Sequence, residues 1–315
     1  QYEILNRTFG NPANDANTTS SREIIQMIED SLRYNNRNEV NVIIGGPPCQ
    51  AYSLIGRSRM RENVIKDKRN FLFYYYKKIV EHFSPDIFIF ENVPGILNAQ
   101  KGRIFARIKE EFDEIGYTLT SGIHDDDSQN ILDSKDFGVY QSRKRMILFG
   151  YRQSLNLNYP DFIRHAEILD EPLNTKNAVS DLTPLRPGQG CDYSLRDYPE
   201  AWDSHLSKFQ RLMHIDSIGI TNHKARDLRM ANDKFAYELA IRKAANGEQL
   251  LYTDLPSEYR THKNIESFLD RYKVHWWDDV PHTIVAHISK DGHYNIHPSI
   301  EQCRSLTVRE AARIQ

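Results

Sequence analysis

The sequence predicts an α/β fold, and three observations carry that reading. Short apolar runs rich in β-branched and aromatic residues recur at 40–44, 86–95 and 145–151. Stretches with a helical repeat of apolar residues lie between them. The first two runs end in turns rich in proline and glycine, "GGPP" and "VPG". Strands alternating with helices of this size argue for a largely parallel sheet, with ligands held beyond the carboxyl ends of the strands.

Each element has its own signal. Ser20 and Glu23 have capping-box spacing, and Ile24, Ile28 and Leu32 then repeat at i, i+4 and i+8, predicting a helix over 21–34. "EVNVIIGG" reads as a buried strand leading into Pro47 and Pro48, through which no helix can run. "NFLFYYYKKIVEHF" (70–83) is a helix that Pro85 stops, and "DIFIFENVPG" is the next strand. Phe105, Ile108, Phe112 and Ile115 mark an amphipathic helix closed by Gly116. "RMILFGY" is a further strand.

From about residue 152 the texture changes. Prolines 160, 172, 184 and 187 punctuate a polar stretch, and "LTPLRPGQG" reads as a linker. Short helical patterns follow over 205–270, with Trp276, Trp277 and the tyrosines between 193 and 272 expected in a small core. "HTIVAHISKDGHYNIHP" (282–298) reads as a hairpin turning at Asp291-Gly292. Thr307 and Glu310 open a final helix. The length suggests two domains, placed at 1–185 and 186–315. No apolar run approaches the ~18 residues of a membrane helix. Three distant cysteines without a C-x-x-C pair argue against a disulfide framework or a cysteine zinc site, and point to a reducing compartment. With a net charge of −2, any contact with nucleic acid must come from local patches.

Three clusters carry chemistry. Cys49 stands on a turn stiffened by Pro47 and Pro48 where a strand leaves its sheet; its alternatives are a buried small hydrophobe and a held nucleophile. Glu91 ends the apolar run "DIFIF", where a carboxylate is costly unless paired or used. Arg143 and Arg145, in "QSRKR", alternate onto one face of a strand, as either a solvated edge or a paired-guanidinium site.

Taken together and in this order, the clusters resemble the cytosine-C5 DNA methyltransferases. "GGPPCQAYS" is similar to that family's Pro-Cys motif, "ENVPG" to its Glu-Asn-Val motif, "QSRKR" to its Gln-x-Arg-x-Arg motif, and "RSLTVREAARIQ" to the motif closing its recognition region. "RNFL" (69–72) resembles a shorter motif between the first two. The resemblance runs from about residue 40 to the end, with a variable gap at roughly 152–280. Tyr140 stands where proline is usual, and Ala51-Tyr52 where Gly-Phe is commoner.

The resemblance implies a Rossmann-like S-adenosylmethionine-dependent methyltransferase domain with a smaller target-recognition domain. It implies a Cys49 adduct at C6 of a flipped-out cytosine, with Glu91 at the N3/N4 edge, Arg145 at O2, and Arg143 supporting it or meeting a phosphate. Gln50, Ser53, Asn92, Gln141, Arg57, Arg59 and Arg304 are the implied substrate and DNA contacts; Pro48 and Leu72 are the cofactor contacts, and no metal is implied. The stretch 54–69 carries six basic residues and two acidic ones, a local net charge of +4 that suits phosphate contacts beside a flipped base. Sequence choice is expected within 186–280, where Asn222, His223, Lys224, Arg226 and Arg229 are candidates. Double-stranded DNA is the implied partner, and a cytoplasmic, nucleoid-associated bacterial modification enzyme or orphan methylase, otherwise monomeric, the implied setting. An RNA methyltransferase of the same superfamily and a non-catalytic DNA-binding relative are the alternatives. Nothing in residues 1–40 matches the family's Phe-x-Gly-x-Gly cofactor loop, and residue 1 is glutamine. The expectation is therefore a longer polypeptide, or a partner chain completing the pocket, with weak S-adenosylmethionine binding by these residues alone.

Overall fold

Helix α1 (Ser21–Tyr34) begins where Ser20 accepts a hydrogen bond from the Glu23 amide at 3.3 Å, as its sequence predicts. The structure is a computed structural model and describes residues 7–9, 17–47, 72–99, 101–120, 131–158, 170–199, 205–228 and 231–315. The chain forms two compact units, one of residues 1–132 and 144–162, the other of 133–143 and 163–315. The boundary expected at 185 falls inside the second unit. No helix among the described residues is long and apolar enough to cross a membrane.

The first unit is built on a sheet. Strand β1 (Val42–Gly45) is followed by helix α2 (Leu72–Phe83), strand β2 (Ile87–Asn92), the short helix α3 (Gly95–Asn98), helix α4 (Arg103–Asp113), strand β3 (Tyr117–Thr120), the brief β4 (Ile131–Asp133) and strand β5 (Lys144–Arg152). The order is β1-β2-β5-β3, with β4 also pairing to β5. β1 and β2 are parallel, whereas β5 is antiparallel to both β2 and β3. The sheet is thus mixed rather than largely parallel. β1, β2 and β3 follow helical crossovers and run the same way; β5 arrives from the 133–143 segment and enters between β2 and β3 in the opposite sense.

The core of this unit follows the sequence periods. In β2, Phe88, Phe90 and Asn92 are buried while the alternate residues are partly open. Phe105, Ile108 and Phe112 of α4 join them, with Phe73 and Val80 of α2. Lys77 ties α2 to α4 through Glu111 at 2.6 Å. Gly150 lies opposite Phe88 in the register. A Cβ on residue 150 would lie 2.1 Å from the Phe88 ring, so only glycine fits there.

The second unit holds helix α5 (Thr175–Val179), a two-residue pair β6 (Gly190–Cys191) and β7 (His223–Lys224), helix α6 (Lys208–His214), helix α7 (Ala231–Ala245) and helix α8 (Val308–Ile314). One core packs Ala236, Tyr237, Ala240 and Ile241 of α7 against Tyr252, Tyr272 and Trp276; another gathers α5, Leu182, Ile220, Leu306, Ile314 and Trp277. Two expectations are corrected. The 182–190 stretch is no linker: Leu182 and Leu185 are buried, and the Leu185 amide and carbonyl are held by Gln302 and Arg304. Residues 282–298 form no hairpin. A 3₁₀ turn occupies Ala286–Ser289, and Ile296 bridges Val274 and Ser305 instead. Gly292 does take a left-handed conformation (φ 75°), but Ile284, His293, Asn295, Ile296 and His297 are buried among side chains rather than paired as two strands.

Gly150→Ala should lower the unfolding free energy by about 1–3 kcal/mol through overpacking against Phe88, read as a fall in the urea midpoint. An unchanged midpoint would mean that the ring yields freely.

Candidate active site

At the carboxyl end of β2, pleating sends Glu91 and Asn92 to opposite faces. Glu91 lies opposite Ile147 of β5, which makes Arg145 its diagonal neighbour on the same face. The Arg145 Nε meets the Glu91 Oε1 at 2.6 Å. The pair is only part-exposed, at 23% for the arginine and 40% for the glutamate side chain, so it is reachable yet ordered. The Arg145 Nη1 donates to the Lys144 carbonyl, fixing the guanidinium from its other side.

The turn after β1 is fitted against these residues. A Cβ on Gly46 would lie 2.8 Å from the Glu91 Oε2, so the absent side chain is what lets the carboxylate rest against this backbone. The place of a Gly45 Cβ is taken by the ring of Tyr76, 2.4 Å away, whose hydroxyl lies 2.9 Å from the Ile89 carbonyl and 3.3 Å from that of Ile43. Asn92, 3% exposed, accepts from the Val93 amide and donates to the Pro47 carbonyl at 3.5 Å. Asn92, expected as a substrate contact, bonds the backbone at Pro47, two residues before Cys49. Cys49 itself, with Pro48, Gln50, Ser53, Arg57, Arg59 and the rest of the basic stretch, lies outside the described residues. Leu72 is the first residue of α2, and its side chain also lies outside the description.

In the second unit, Gln141 and Arg304 have framework roles. The Gln141 side chain is 3% exposed and its Oε1 accepts from the Ile284 amide at 2.9 Å. Arg304, 1% exposed, makes a two-pronged pair with Glu310, both contacts 2.7 Å, and also bonds Gln302 and the Leu185 and Ser305 carbonyls. Both are expected at the nucleic acid from the sequence; among the described residues their partners are the protein's own backbone and side chains. His223 is buried between Thr307 and the Thr183 carbonyl, and the half-buried Arg226 caps the 3₁₀ turn at Ile288 and Ser289. Asn222 and Lys224 remain exposed, and Arg229 is outside the described residues. The Arg143 amide is held by Asp133 and Ser134. Neither holder was foreseen, although Asp133 three residues before Asp136 and five before Gly138 is a legible cap-and-stop signal. No group of three His, Cys, Asp or Glu side chains among the described residues is placed to hold a metal.

Buried imidazoles surround this framework. Burial pushes His282 down to about 4 and His297 to about 3, and holds His275 well below its ordinary value. Burial opposes ionisation of Glu310, but the charge and hydrogen bonds of Arg304 prevail and hold it well below the carboxylate range. These histidines are neutral when folded and protonate near 6.5 when unfolded. Their contribution is therefore complete above about pH 6.5 and is lost as the pH falls toward 4. The Glu310 contribution disappears in the same direction, below its unfolded pKa. Urea unfolding should show stability dropping steadily between about pH 6.5 and 4; a flat profile would contradict neutral burial. Arg304→Ala should cost about 3–5 kcal/mol by leaving Glu310 buried without its partner.

Comparison with known proteins agrees with this geometry. The chain is 56% identical, over its whole length and 71% of the relative's, to the Type II methyltransferase M.Bpa9945I of Bacillus paralicheniformis. It is 33% identical to the Type II methyltransferase M.DdeI of Desulfomicrobium norvegicum over 73% of the chain, which spans about half (51%) of that relative. A crystal structure described as a DNA modification methyltransferase of an E. coli prophage shares the fold, with a TM-score of 0.54 at 18% identity, covering 95% of this chain and 76% of that one. The family model for C-5 cytosine-specific DNA methylase matches residues 13–315. With that match across nearly the whole chain and a carboxylate–guanidinium pair standing beside the turn before Cys49, the protein belongs to the C-5 cytosine-specific DNA methylase family.

Proposed function

We propose that this protein methylates C5 of a cytosine flipped out of duplex DNA, through a covalent adduct at Cys49, as the modification enzyme of a type II restriction system. The single observation that supports this most is the Glu91–Arg145 pair, 2.6 Å apart, seated against Gly46. Cys49 follows three residues later in the sequence. The restriction-system role rests on the names of the relatives, and the proposed DNA substrate is the ground for proposing a cytoplasmic setting.

The chemistry needs three things of the chain. Cytosine C5 is a poor nucleophile until a thiolate adds to C6, so Cys49 must be held within near-attack range, ~3–3.5 Å. Glu91 supplies a carboxyl group for the N3/N4 edge, which lets the ring accept the electron pair from sulfur. Arg145 presents guanidinium N–H groups to the O2 side. C5, now enamine-like, takes the methyl group; the C5 proton then leaves and the thiolate departs from C6, restoring the aromatic ring. Extruding the base is required first, because C5 and C6 are stacked within the duplex. The net basic charge of 54–69 suits the phosphates there.

S-adenosyl-L-methionine is the methyl donor that the family implies, and it supplies an electrophilic methyl group. The spaces beside Gly45 and Gly46 are filled by Tyr76 and Glu91 rather than left open as a cradle. Pro48 and Leu72 remain its proposed contacts.

Cys49→Ser should abolish transfer of tritiated methyl groups to unmethylated duplex DNA while DNA affinity stays within about threefold, since the thiol makes few phosphate contacts. Glu91→Gln should slow transfer by about 10²–10⁴-fold. Wild-type protein should form a stable adduct on DNA carrying 5-fluorocytosine. Substantial methylation by Cys49→Ser would sink the mechanism.

A further inference from the structure

The backbone just ahead of Arg145 is held at every polar group from the Gln141 carbonyl to the Arg143 carbonyl. The Ser134 hydroxyl donates to the Gln141 carbonyl at 2.5 Å. The Ser142 amide donates to the Pro281 carbonyl, and the Ser142 carbonyl accepts from the Thr283 hydroxyl, both at 2.8 Å. The Arg143 amide is shared between the Asp133 Oδ1 at 2.9 Å and the Ser134 Oγ at 3.1 Å, and the Arg143 carbonyl accepts from the Ser134 amide at 3.2 Å. The Ser142 hydroxyl donates to the Asp133 Oδ2 at 2.8 Å. Asp133 is thus bound to the backbone of one arginine of the motif and to the side chain of the serine before it.

Asp133 is 4% exposed. A buried carboxylate is expensive unless donors satisfy it, and here the donors are the Ser142 hydroxyl and the Arg143 amide, with the Lys135 amide at 3.5 Å. All three need only an acceptor or a hydroxyl partner. An asparagine in this place keeps Oδ1 for the two amides, and its Nδ2 can donate to the Ser142 oxygen, which then acts as acceptor. Alanine leaves the serine hydroxyl without its partner and loosens the Arg143 amide. The chain then runs directly into β5, with Arg145 two residues beyond the held amide.

We propose that Asp133 is a positioning residue for methyl transfer: it fixes the Gln141–Arg143 backbone and thereby the place from which Arg145 is presented. The demand on it is geometric rather than electrostatic. This rests on the reading of Arg145 as a contact of the flipped cytosine. Placement errors of about 1 Å in such groups cost on the order of 100-fold in rate, whereas binding to phosphates depends on other residues.

The test uses the full chain with tritiated S-adenosylmethionine and unmethylated mixed-sequence duplex DNA, comparing wild type, Asp133→Ala, Asp133→Asn and Ser134→Ala. The rate is taken per mole of protein that is folded by thermal unfolding. Asp133→Ala is expected to lower kcat by about 10–100-fold with KM for DNA within threefold. Asp133→Asn should restore kcat to within threefold of wild type. Ser134→Ala, which leaves Asp133 holding the Arg143 amide, should fall between them and covers the case in which the alanine variant at 133 does not fold. An Asp133→Asn protein as slow as the alanine variant, an Asp133→Ala kcat equal to wild type, or a rise in KM with kcat unchanged would each overturn the assignment. A wild type that neither methylates DNA nor forms the 5-fluorocytosine adduct would overturn the reading of the site itself, which separates the two failures.

Discussion

The register of β2 against β5 is the constraint on which the first unit depends. It is set where the Phe88 ring occupies the space of a Cβ on residue 150, so glycine is required opposite a phenylalanine. A slip by one residue would send every side chain of β5 to the other face. Glu91 and Arg145 would then part, and Met146 and Leu148 would leave the core. The apolar packing on one face of the sheet and the ion pair on the other are consequences of one pairing.

The second unit depends on a different kind of restraint. Its anchors are charged or polar groups taken out of water and then matched. Arg304 and Glu310 bind each other in a two-pronged pair, and Asp181 accepts from Arg313 at 2.7 Å and contacts His214 at 2.8 Å. Such pairs add little net stability compared with apolar residues of the same shape, but half of one left alone is severely destabilising. Glu310 also closes the capping box of α8 with Thr307, so one carboxylate starts the helix and neutralises the buried guanidinium.

The motif residues therefore divide by burial. Glu91 and Arg145 keep part of their polar surface open and face each other. Asn92, Gln141 and Arg304 are closed off and spend their hydrogen bonds on turns and chain crossings. A short sequence motif can hold both kinds because neighbouring residues in a strand point to opposite faces: Glu91 looks outward while Asn92, one residue on, looks in.

Local order was legible in the sequence. The caps at Ser20 and Thr307, the helical spacing of Phe105, Ile108 and Phe112, and the apolar strands all depend on interactions within a few residues, and they recur in the structure. The pairing of Glu91 with a basic residue of "QSRKR" was also within reach, because a carboxylate ending an apolar strand needs a partner. What only the tertiary structure decided was direction and burial. β5 enters the sheet reversed, the stretch around Leu185 is packed rather than free, and 282–298 coils around buried histidines instead of forming a hairpin. The physical reason is the same in each case. Whether a polar side chain meets a solvent molecule or a buried partner is settled by residues far away in the chain, as Arg304 is by the Leu185 carbonyl, and no local period records it.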